Sequence, residues 1–368
     1  MILILSCNLD LKTLKMKTFI LNLLLLNLLS SCKTTDFIGK NDTNIAFNSV
    51  TIDTLFQDKI SIRAIVIEGS KIWYAADKGR FGFYNMDNNQ KFESSISKDS
   101  PKLEFRSIAQ TNKHIFILNV GNPASLYQIS KDEKTAKLVY QENHEKVFFD
   151  SMQFWNNKEG IAMGDPIADC LNVIITRDGG NSWSKVPSDK LPKVMEGEAA
   201  FAASNTNISI KGNNTWIVSG GKKSRVFYSP DKGDSWRVYD TPIVQGKAMT
   251  GIFTADFYDA KIGFIAGGDY ELRNQNFSNK ASTTDGGKTW NLIGENQGFG
   301  YASCVQYVPK SNGKGLVTVG FSGLYYSSDG GISWKQLASD STLHTIRFLD
   351  THTAIAAGQN KMVRIIFK

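Results

Sequence analysis

Short apolar runs separated by polar, glycine-containing turns recur along the chain from about residue 60 to its end. The runs are rich in Val, Ile, Phe and Tyr; examples are Lys71-Ile-Trp-Tyr-Ala, Gly160-Ile-Ala-Met-Gly and Thr215-Trp-Ile-Val-Ser. Runs of β-branched and aromatic residues bounded by turn residues are typical of strands. A long amphipathic helical period is hard to find in this region. The pattern therefore predicts an all-β fold made of many short strands.

One octapeptide occurs four times at the end of such a strand, with the pattern Ser/Thr-x-Asp-x-Gly-x-Ser/Thr-Trp. Its copies are Thr176–Trp183, Ser229–Trp236, Thr283–Trp290 and Ser327–Trp334. Each copy ends in its tryptophan, and the four aspartates are Asp178, Asp231, Asp285 and Asp329. An Asp carboxylate in a turn accepts backbone N–H bonds. Gly supplies a positive φ, and Trp buries a large ring. We therefore interpret the octapeptide as a structural clasp; the alternative is a row of catalytic aspartates.

These motifs resemble the Asp-box (BNR) repeat, which in that family joins the third and fourth strands of a propeller blade. The resemblance implies a seven-bladed β-propeller over residues 44–368, with the fourth blade beginning at Glu198-Ala-Ala-Phe. The last blade ends at Lys368 without a fourth strand. We expect the segment from Ile45 to Leu55 to supply it, because pairing there removes exposed strand edges. A single closed ring predicts a monomer.

The first 31 residues predict an export signal rather than part of the fold. Basic residues precede an apolar run, Phe19–Leu29, that is too short to span a bilayer. The run ends in Leu-Ser-Ser-Cys32, which resembles the bacterial lipobox and implies diacylglyceryl attachment to the Cys32 thiol. Residues 33–43 predict a tether, and Met16 is an alternative start. We expect an exported protein held at the cell-envelope membrane by acyl chains, periplasmic or surface-facing; the alternative is a plain signal peptide.

The composition limits which partners and cofactors are expected. The net charge is +7, yet no run of five or more basic residues and no DNA-binding motif occurs, so nucleic acid is not the expected partner. The four histidines lack metal-ligand spacing. Cys170 and Cys304 lie far apart and predict two buried free thiols. No dinucleotide-binding glycine motif follows a strand, so the sequence predicts neither a metal nor another cofactor.

A polar site is predicted at one mouth of the propeller channel. In a propeller, the loops that enter the first strand of each blade share a face with those that join the second and third strands. Aligning the strands brings together these residues: Arg63, Arg106, Asp150, Asp165, Glu198, Asp269, Tyr270 and His344. We expect them to bind a protein partner or polar ligand, because carboxylates beside arginines stay ionised and suit recognition. The alternative is a solvated channel whose charges balance.

Three further stretches, Gly164-Asp-Pro, Gly197-Glu-Ala-Ala-Phe-Ala-Ala-Ser and Gly267-Gly-Asp-Tyr, give a more specific resemblance. With the octapeptides, they resemble bacterial propellers often labelled oxidoreductase or glycosyl hydrolase, a group similar to the photosystem II stability/assembly factor family. That resemblance implies a non-enzymatic propeller that binds proteins during membrane assembly. The alternative is a glycoside hydrolase, sialidase-like or another Asp-box glycosidase, with Asp150 and either Glu198 or Asp165 as its carboxylate pair.

Overall fold

The computed structural model describes residues 46–96, 103–132 and 134–368, which form an all-β propeller. The predicted signal peptide, the predicted lipidation site Cys32 and the predicted tether lie outside the described residues. Within the described part of the chain, no helix is long and apolar enough to cross a membrane.

Twenty-eight strands account for nearly all of the regular structure in the described residues, together with a short 3₁₀ helix at Ser188–Lys190. In chain order the strands are β1 (Val50–Glu68), β2 (Lys71–Ala76), β3 (Arg80–Asn85), β4 (Gln90–Ser95), β5 (Phe105–Gln110), β6 (His114–Asn119), β7 (Ala124–Ser130), β8 (Ala136–Glu142), β9 (Phe149–Phe154), β10 (Gly160–Gly164), β11 (Asn172–Thr176), β12 (Ser184–Lys185), β13 (Glu198–Ala199), β14 (Ile208–Lys211), β15 (Asn214–Val218), β16 (Gly220–Gly221), β17 (Arg225–Ser229), β18 (Arg237–Asp240), β19 (Thr250–Phe257), β20 (Gly263–Asp269), β21 (Lys280–Thr283), β22 (Asn291–Leu292), β23 (Cys304–Tyr307), β24 (Leu316–Gly320), β25 (Gly323–Ser327), β26 (Lys335–Ala338), β27 (Leu343–Phe348) and β28 (Thr353–Phe367).

The strands form six hydrogen-bonded sheets among the described residues. Counting each sheet as one blade, the ring has six blades, and the prediction of seven is wrong. The difference arises at β1, which is 19 residues long. Its first part pairs with β28 and its second part with β2, so the last and first repeats merge into one six-stranded sheet, β27-β28-β1-β2-β3-β4. The repeats are nevertheless arranged in a circle, because the innermost strands contact one another in the order β1, β5, β9, β14, β19, β23, β27 and back to β1.

The expected N-terminal strand lies beside the last repeat. Val50 pairs with Phe367, and the register continues to Gln57 opposite Lys361. The backbone N–H of Asn48 also donates to the Lys368 carbonyl at 2.6 Å. The pairing covers an edge of β28 that would otherwise expose unpaired N–H and C=O groups.

Each octapeptide forms the same hydrogen-bonded turn at the outer side of its sheet. In the first copy, Asp178 accepts from the Ser182 backbone N–H at 3.0 Å and from the Ser182 hydroxyl at 2.7 Å. The Thr176 hydroxyl donates to the same carboxylate at 2.9 Å and accepts from the Gly180 N–H at 2.9 Å. The aspartates of all four turns are thus occupied by their own turn, which supports the structural clasp over a catalytic role.

The glycine at the fifth position of each clasp packs against the preceding repeat. Gly180 has a φ of +83°, and a Cβ there would lie 2.2 Å from the Phe116 ring of β6. Gly331, with a φ of +98°, meets the Phe264 ring of β20 in the same way, at 2.5 Å. The neighbouring Trp183 and Trp334 rings pack edge-on or tilted against these phenylalanines. The clasps therefore join neighbouring sheets as well as adjacent strands.

The channel at the centre of the ring is filled by the chain itself. Residues 200–207, here called the plug segment, precede β14 and bond to the inner strands of several repeats. Asn205 donates to the Ile108 carbonyl of β5 and accepts from the Met152 N–H of β9, both at 2.8 Å. Thr206 and Thr254 of β19 share a hydroxyl hydrogen bond of 2.8 Å. These bonds to opposite sides of the ring leave no solvated channel over this stretch, which was the alternative to a binding site.

The plug segment also corrects the predicted start of the fourth repeat. Glu198-Ala-Ala-Phe was expected to be an inner strand, but Glu198 and Ala199 form only the short β13, paired with β16. The inner strand is β14, which pairs with β15. Burial explains the error, because a run such as Ala-Ala-Phe-Ala-Ala is equally apolar in an inner strand and in a segment that fills a core.

Candidate functional site

A β-bulge occurs at an equivalent point of five inner strands, near the mouth of the channel. In each case the pairing register skips one residue, and the skipped residues are Arg63, Arg106, Asp150, Phe253 and His344. A bulge leaves one residue out of the ladder and redirects its side chain. The repeat therefore presents a different side chain at the same place in each of these strands, which matches the alignment used to predict the site.

Glycines on the second strand make room for these bulges. At Gly164, opposite the bulge at Asp150, a Cβ would lie 2.1 Å from the Phe148 carbonyl oxygen. At Gly358, opposite the bulge at His344, it would lie 1.9 Å from the Thr342 carbonyl oxygen. The Gly that ends several second strands is therefore needed for close backbone approach.

Two adjoining cavities open at this mouth. The larger, about 450 Å³, is lined by Arg63, Arg106, Phe148, Asp165, Ala199, Ala200, Phe201, Ala202, Ala203, Ala248, Met249, Phe253, Tyr270 and Tyr301. The smaller, about 360 Å³, shares Arg63, Tyr270 and Tyr301 with it and is also lined by Arg273, Phe321 and His344. Because the plug segment lines the larger cavity, the mouth is a dead-end pocket rather than the start of an open channel.

One wall of the pocket is aromatic. Phe201 stacks on Phe253 with ring centroids 3.9 Å apart, and Tyr301 meets Phe253 edge-on at 4.7 Å. Tyr270 meets Tyr301 edge-on at 5.1 Å, and the Arg273 guanidinium lies 4.3 Å above the Tyr270 ring. Sequence reasoning missed Tyr301 and Phe201, because neither is part of a repeated motif; Tyr301 lies just before the inner strand of its repeat.

The basic side of the pocket contains two arginines that differ in their partners. Arg106 forms an ion pair with Glu104 at 2.7 Å. Arg63 makes one hydrogen bond, from Nη1 to the Ala203 carbonyl at 3.3 Å, and its buried Nε has no partner among the described residues. Burial and the neighbouring Arg106 lower the pKa of Arg63. Burial and these two arginines also lower the pKa of His344 to about 3, so the imidazole is neutral at physiological pH.

The acidic side contains Asp165 and Asp150. Asp165 accepts from the Ala200 N–H at 2.7 Å, and burial raises its pKa to about 6 despite this bond. Asp150 is fully buried, and neither of its carboxyl oxygens has a hydrogen-bond partner among the described residues. Burial, and secondarily the Asp165 charge, raise the pKa of Asp150 well above its usual value. The expected pairing with an arginine is not found for Asp150 in the described part of the chain, and burial disfavours its ionised form.

Two predicted site residues have structural partners instead. Glu198 is buried and bonded to Arg225, with Nε 3.0 and 3.1 Å from its two oxygens. Asp269 is also buried and accepts from the backbone N–H groups of Glu271 and Leu272, which shapes the loop that carries Tyr270. Neither carboxylate lines the two mouth cavities. The structure therefore brings together Arg63, Arg106, Asp165, Tyr270 and His344, with Asp150 buried beside them.

Cys170 and Cys304 are both buried and free, as predicted. No group of three or more metal-ligating side chains is found in the part of the chain that the structure describes.

Comparisons with known proteins support the fold. No protein-family model matches the chain, and no curated protein matches its sequence. Among solved structures, YCF48 bound to D1 peptide is similar with a TM-score of 0.63 at 12% identity, covering 88% of this chain and 98% of that one. The WD40 repeats of RRP9 give a TM-score of 0.61 at 11% identity, covering 88% of this chain and 100% of that one. A GH74 xyloglucanase from Xanthomonas campestris gives a TM-score of 0.61 at 13% sequence identity, covering 86% of this chain and 53% of that one. The chain is thus a β-propeller that resembles both a peptide-bound propeller and a glycosidase propeller.

Proposed function

We propose that this chain is a non-enzymatic propeller that binds a protein partner at the pocketed mouth and acts as an assembly or stability scaffold. The observation that carries the proposal is the dead-end pocket, in which an aromatic wall faces arginines. Aromatic and Arg side chains are the residues most enriched at protein interfaces. The similarity to a propeller that is bound to a peptide, YCF48 with D1 peptide, agrees with this use of the fold.

The proposal includes the cell envelope as the site of action. The lipobox-like Leu-Ser-Ser-Cys32 after an apolar run supports export and acylation. The hydrogen bonds of the four clasps also support assigning them to the Asp-box repeat. For the anchor, the test is Cys32→Ala: the variant should move from the membrane to the soluble fraction and lose incorporated labelled fatty acid. Membrane retention and unchanged labelling in the variant would contradict the anchor.

Partner capture tests the scaffold role. The full-length protein, crosslinked in cells and purified from the membrane, should retain one abundant protein complex. Arg63→Gln should reduce that capture, whereas Arg237→Gln, on the exposed outer strand β18, should not. Equal capture by both variants would mean that the mouth is not the docking site.

A glycoside hydrolase is the second candidate, and one observation favours it. Asp165 lines the large cavity with a pKa raised to about 6, which suits a general acid. Its proposed partner is less suitable: Asp150 is fully buried and does not line the cavity, and Glu198 is held by Arg225. The test is release of sugar from a glycan panel by the wild type, lost in Asp165→Asn. Such release would replace the scaffold proposal.

A further inference from the structure

Arg63 is a charged side chain whose protein partners do not balance its charge. A guanidinium has five N–H donors, yet only the 3.3 Å bond to the Ala203 carbonyl is found for Arg63 in the described residues. The neighbouring like charge, Arg106, already has Glu104 as its partner. A partly buried cation without a counter-ion is costly. An incoming anion would remove this cost, so Arg63 is the favoured anion anchor of the mouth.

The surroundings of Arg63 define what else the ligand carries. Both mouth cavities include Arg63, Tyr270 and Tyr301, so the guanidinium lies beside aromatic surface on both sides. Phe321, which lines the smaller cavity, is 41% exposed, and Arg273 lies over its ring. Leu272 and Phe277, in the loop that follows Tyr270, are 54% and 48% exposed. This surface suits an apolar group, because burying it removes area from water.

We propose that Arg63 binds a carboxylate attached to an apolar body, and that this carboxylate is the part of the protein partner that enters the mouth. The inference rests on the proposed function, since it names the group that the scaffold would recognise. A planar carboxylate matches the fork of a guanidinium. A dianion is disfavoured, because Asp165 lines the same cavity and repels added negative charge.

Small probes test the chemistry on the wild-type protein without any substitution. The probes are 3-phenylpropionate, its neutral amide 3-phenylpropionamide, and 2-phenylethylamine, each titrated by calorimetry into the full chain. The carboxylate should bind at least tenfold more tightly than the amide or the amine. Equal binding of acid and amide, or no binding of the acid at millimolar concentration, would overturn the proposal.

Variants then locate the site. Arg63→Gln should weaken 3-phenylpropionate binding at least tenfold, while Arg237→Gln should bind as the wild type does. Arg106→Gln should have a smaller effect than Arg63→Gln, because Arg106 is already paired with Glu104. A larger loss from Arg106→Gln would assign the anchor to Arg106 and overturn the proposal. If Arg63→Gln does not fold, the comparison of acid and amide binding to the wild type still tests whether the mouth recognises a carboxylate.

Peptide probes separate the two sources of a carboxylate. An amidated peptide with Glu between two Phe residues presents a side-chain carboxylate, and an acetylated peptide ending in Phe presents the chain terminus. Binding of either, lost on replacing its carboxylate by an amide, supports the proposal and identifies the source. Failure of the proposed function is distinguishable: the acid would still bind, but Arg63→Gln would capture the same cellular complex as the wild type.

Discussion

Arg225 holds Glu198 in a buried bidentate ion pair, with Nε 3.0 Å from one carboxylate oxygen and 3.1 Å from the other. The Ser219 hydroxyl donates to the same carboxylate, and Arg225 Nη2 donates to the Lys193 carbonyl at 2.8 Å. This pair fixes the chain just before the plug segment. An acid that sequence alone assigned to ligand binding thus supports the floor of the pocket.

Removing one partner of that pair should be strongly destabilising. Glu198→Gln leaves the Arg225 charge buried without a counter-ion, so we expect a loss of about 3–5 kcal/mol in the free energy of unfolding. Lys193→Ala is the matched control, because Lys193 and Asp169 form an exposed pair, and exposed pairs contribute little to stability. Denaturant titration measures both. Equal losses would mean that the buried pair does not fix the chain.

The plug segment should depend on Asn205. This residue has a φ of +61°, which Asn tolerates, and its side chain satisfies buried backbone groups of Ile108 and Met152. Asn205→Ala leaves these groups unpaired, and we expect a loss of about 2–4 kcal/mol. Asn360→Ala provides the control, since Asn360 has a similar φ of +66° but is exposed. If Asn205→Ala lowers the free energy of unfolding no more than Asn360→Ala does, the side-chain hydrogen bonds of Asn205 do not stabilise the plug segment.

The clasp aspartates should contribute to stability in a pH-dependent way. Asp285 accepts from the Thr289 N–H and hydroxyl and from the Thr283 hydroxyl, and these bonds hold its pKa at about 2 against the opposing effect of burial. A folded-state pKa below the unfolded value means that the stability is present above about pH 4 and is lost as pH falls through 2.

Asp285→Ala should therefore destabilise the protein by about 1–3 kcal/mol at pH 7 and by much less near pH 2. Asp87→Ala, in an exposed turn, should change stability by less than about 0.5 kcal/mol. Thermal unfolding at both pH values checks the difference, and a pH-independent loss for Asp285→Ala would contradict the role assigned to the carboxylate.

Ligand binding at the mouth should weaken as pH rises through the pKa of Asp165, about 6. Above that pH, Asp165 becomes negative in the cavity that holds the carboxylate, so we expect affinity for 3-phenylpropionate to fall roughly two- to fivefold between pH 5.5 and 7.5. The other groups near Asp165 are the Ala200 N–H and the buried Asp150, with Arg106 beside Asp150. Asp165→Asn should remove the pH dependence without abolishing binding. A profile unchanged in that variant would assign the titration to another group.

Part of the site could be predicted because it follows the repeat. Aligning the inner strands was enough to find Arg63, Arg106 and His344 at one mouth, since the bulge recurs at the same register in each strand. Tyr301 and Phe201 were missed because they enter the pocket from irregular segments. The roles of Glu198 and Asp269 were also misjudged, because sequence does not reveal whether a carboxylate faces a cavity or a buried partner.

The resemblance to the Asp-box repeat implied the propeller ring and its closure by the N-terminal strand, and by itself the sequence determined the short strands and the four clasps. These depend on local turn chemistry and on strand periodicity, which are written in neighbouring residues. Only the tertiary structure decided that the repeats form six sheets, that residues 200–207 fill the channel, and which charges remain unpaired. Those outcomes depend on contacts between residues far apart in the chain, where burial and the available hydrogen-bond partners determine the result.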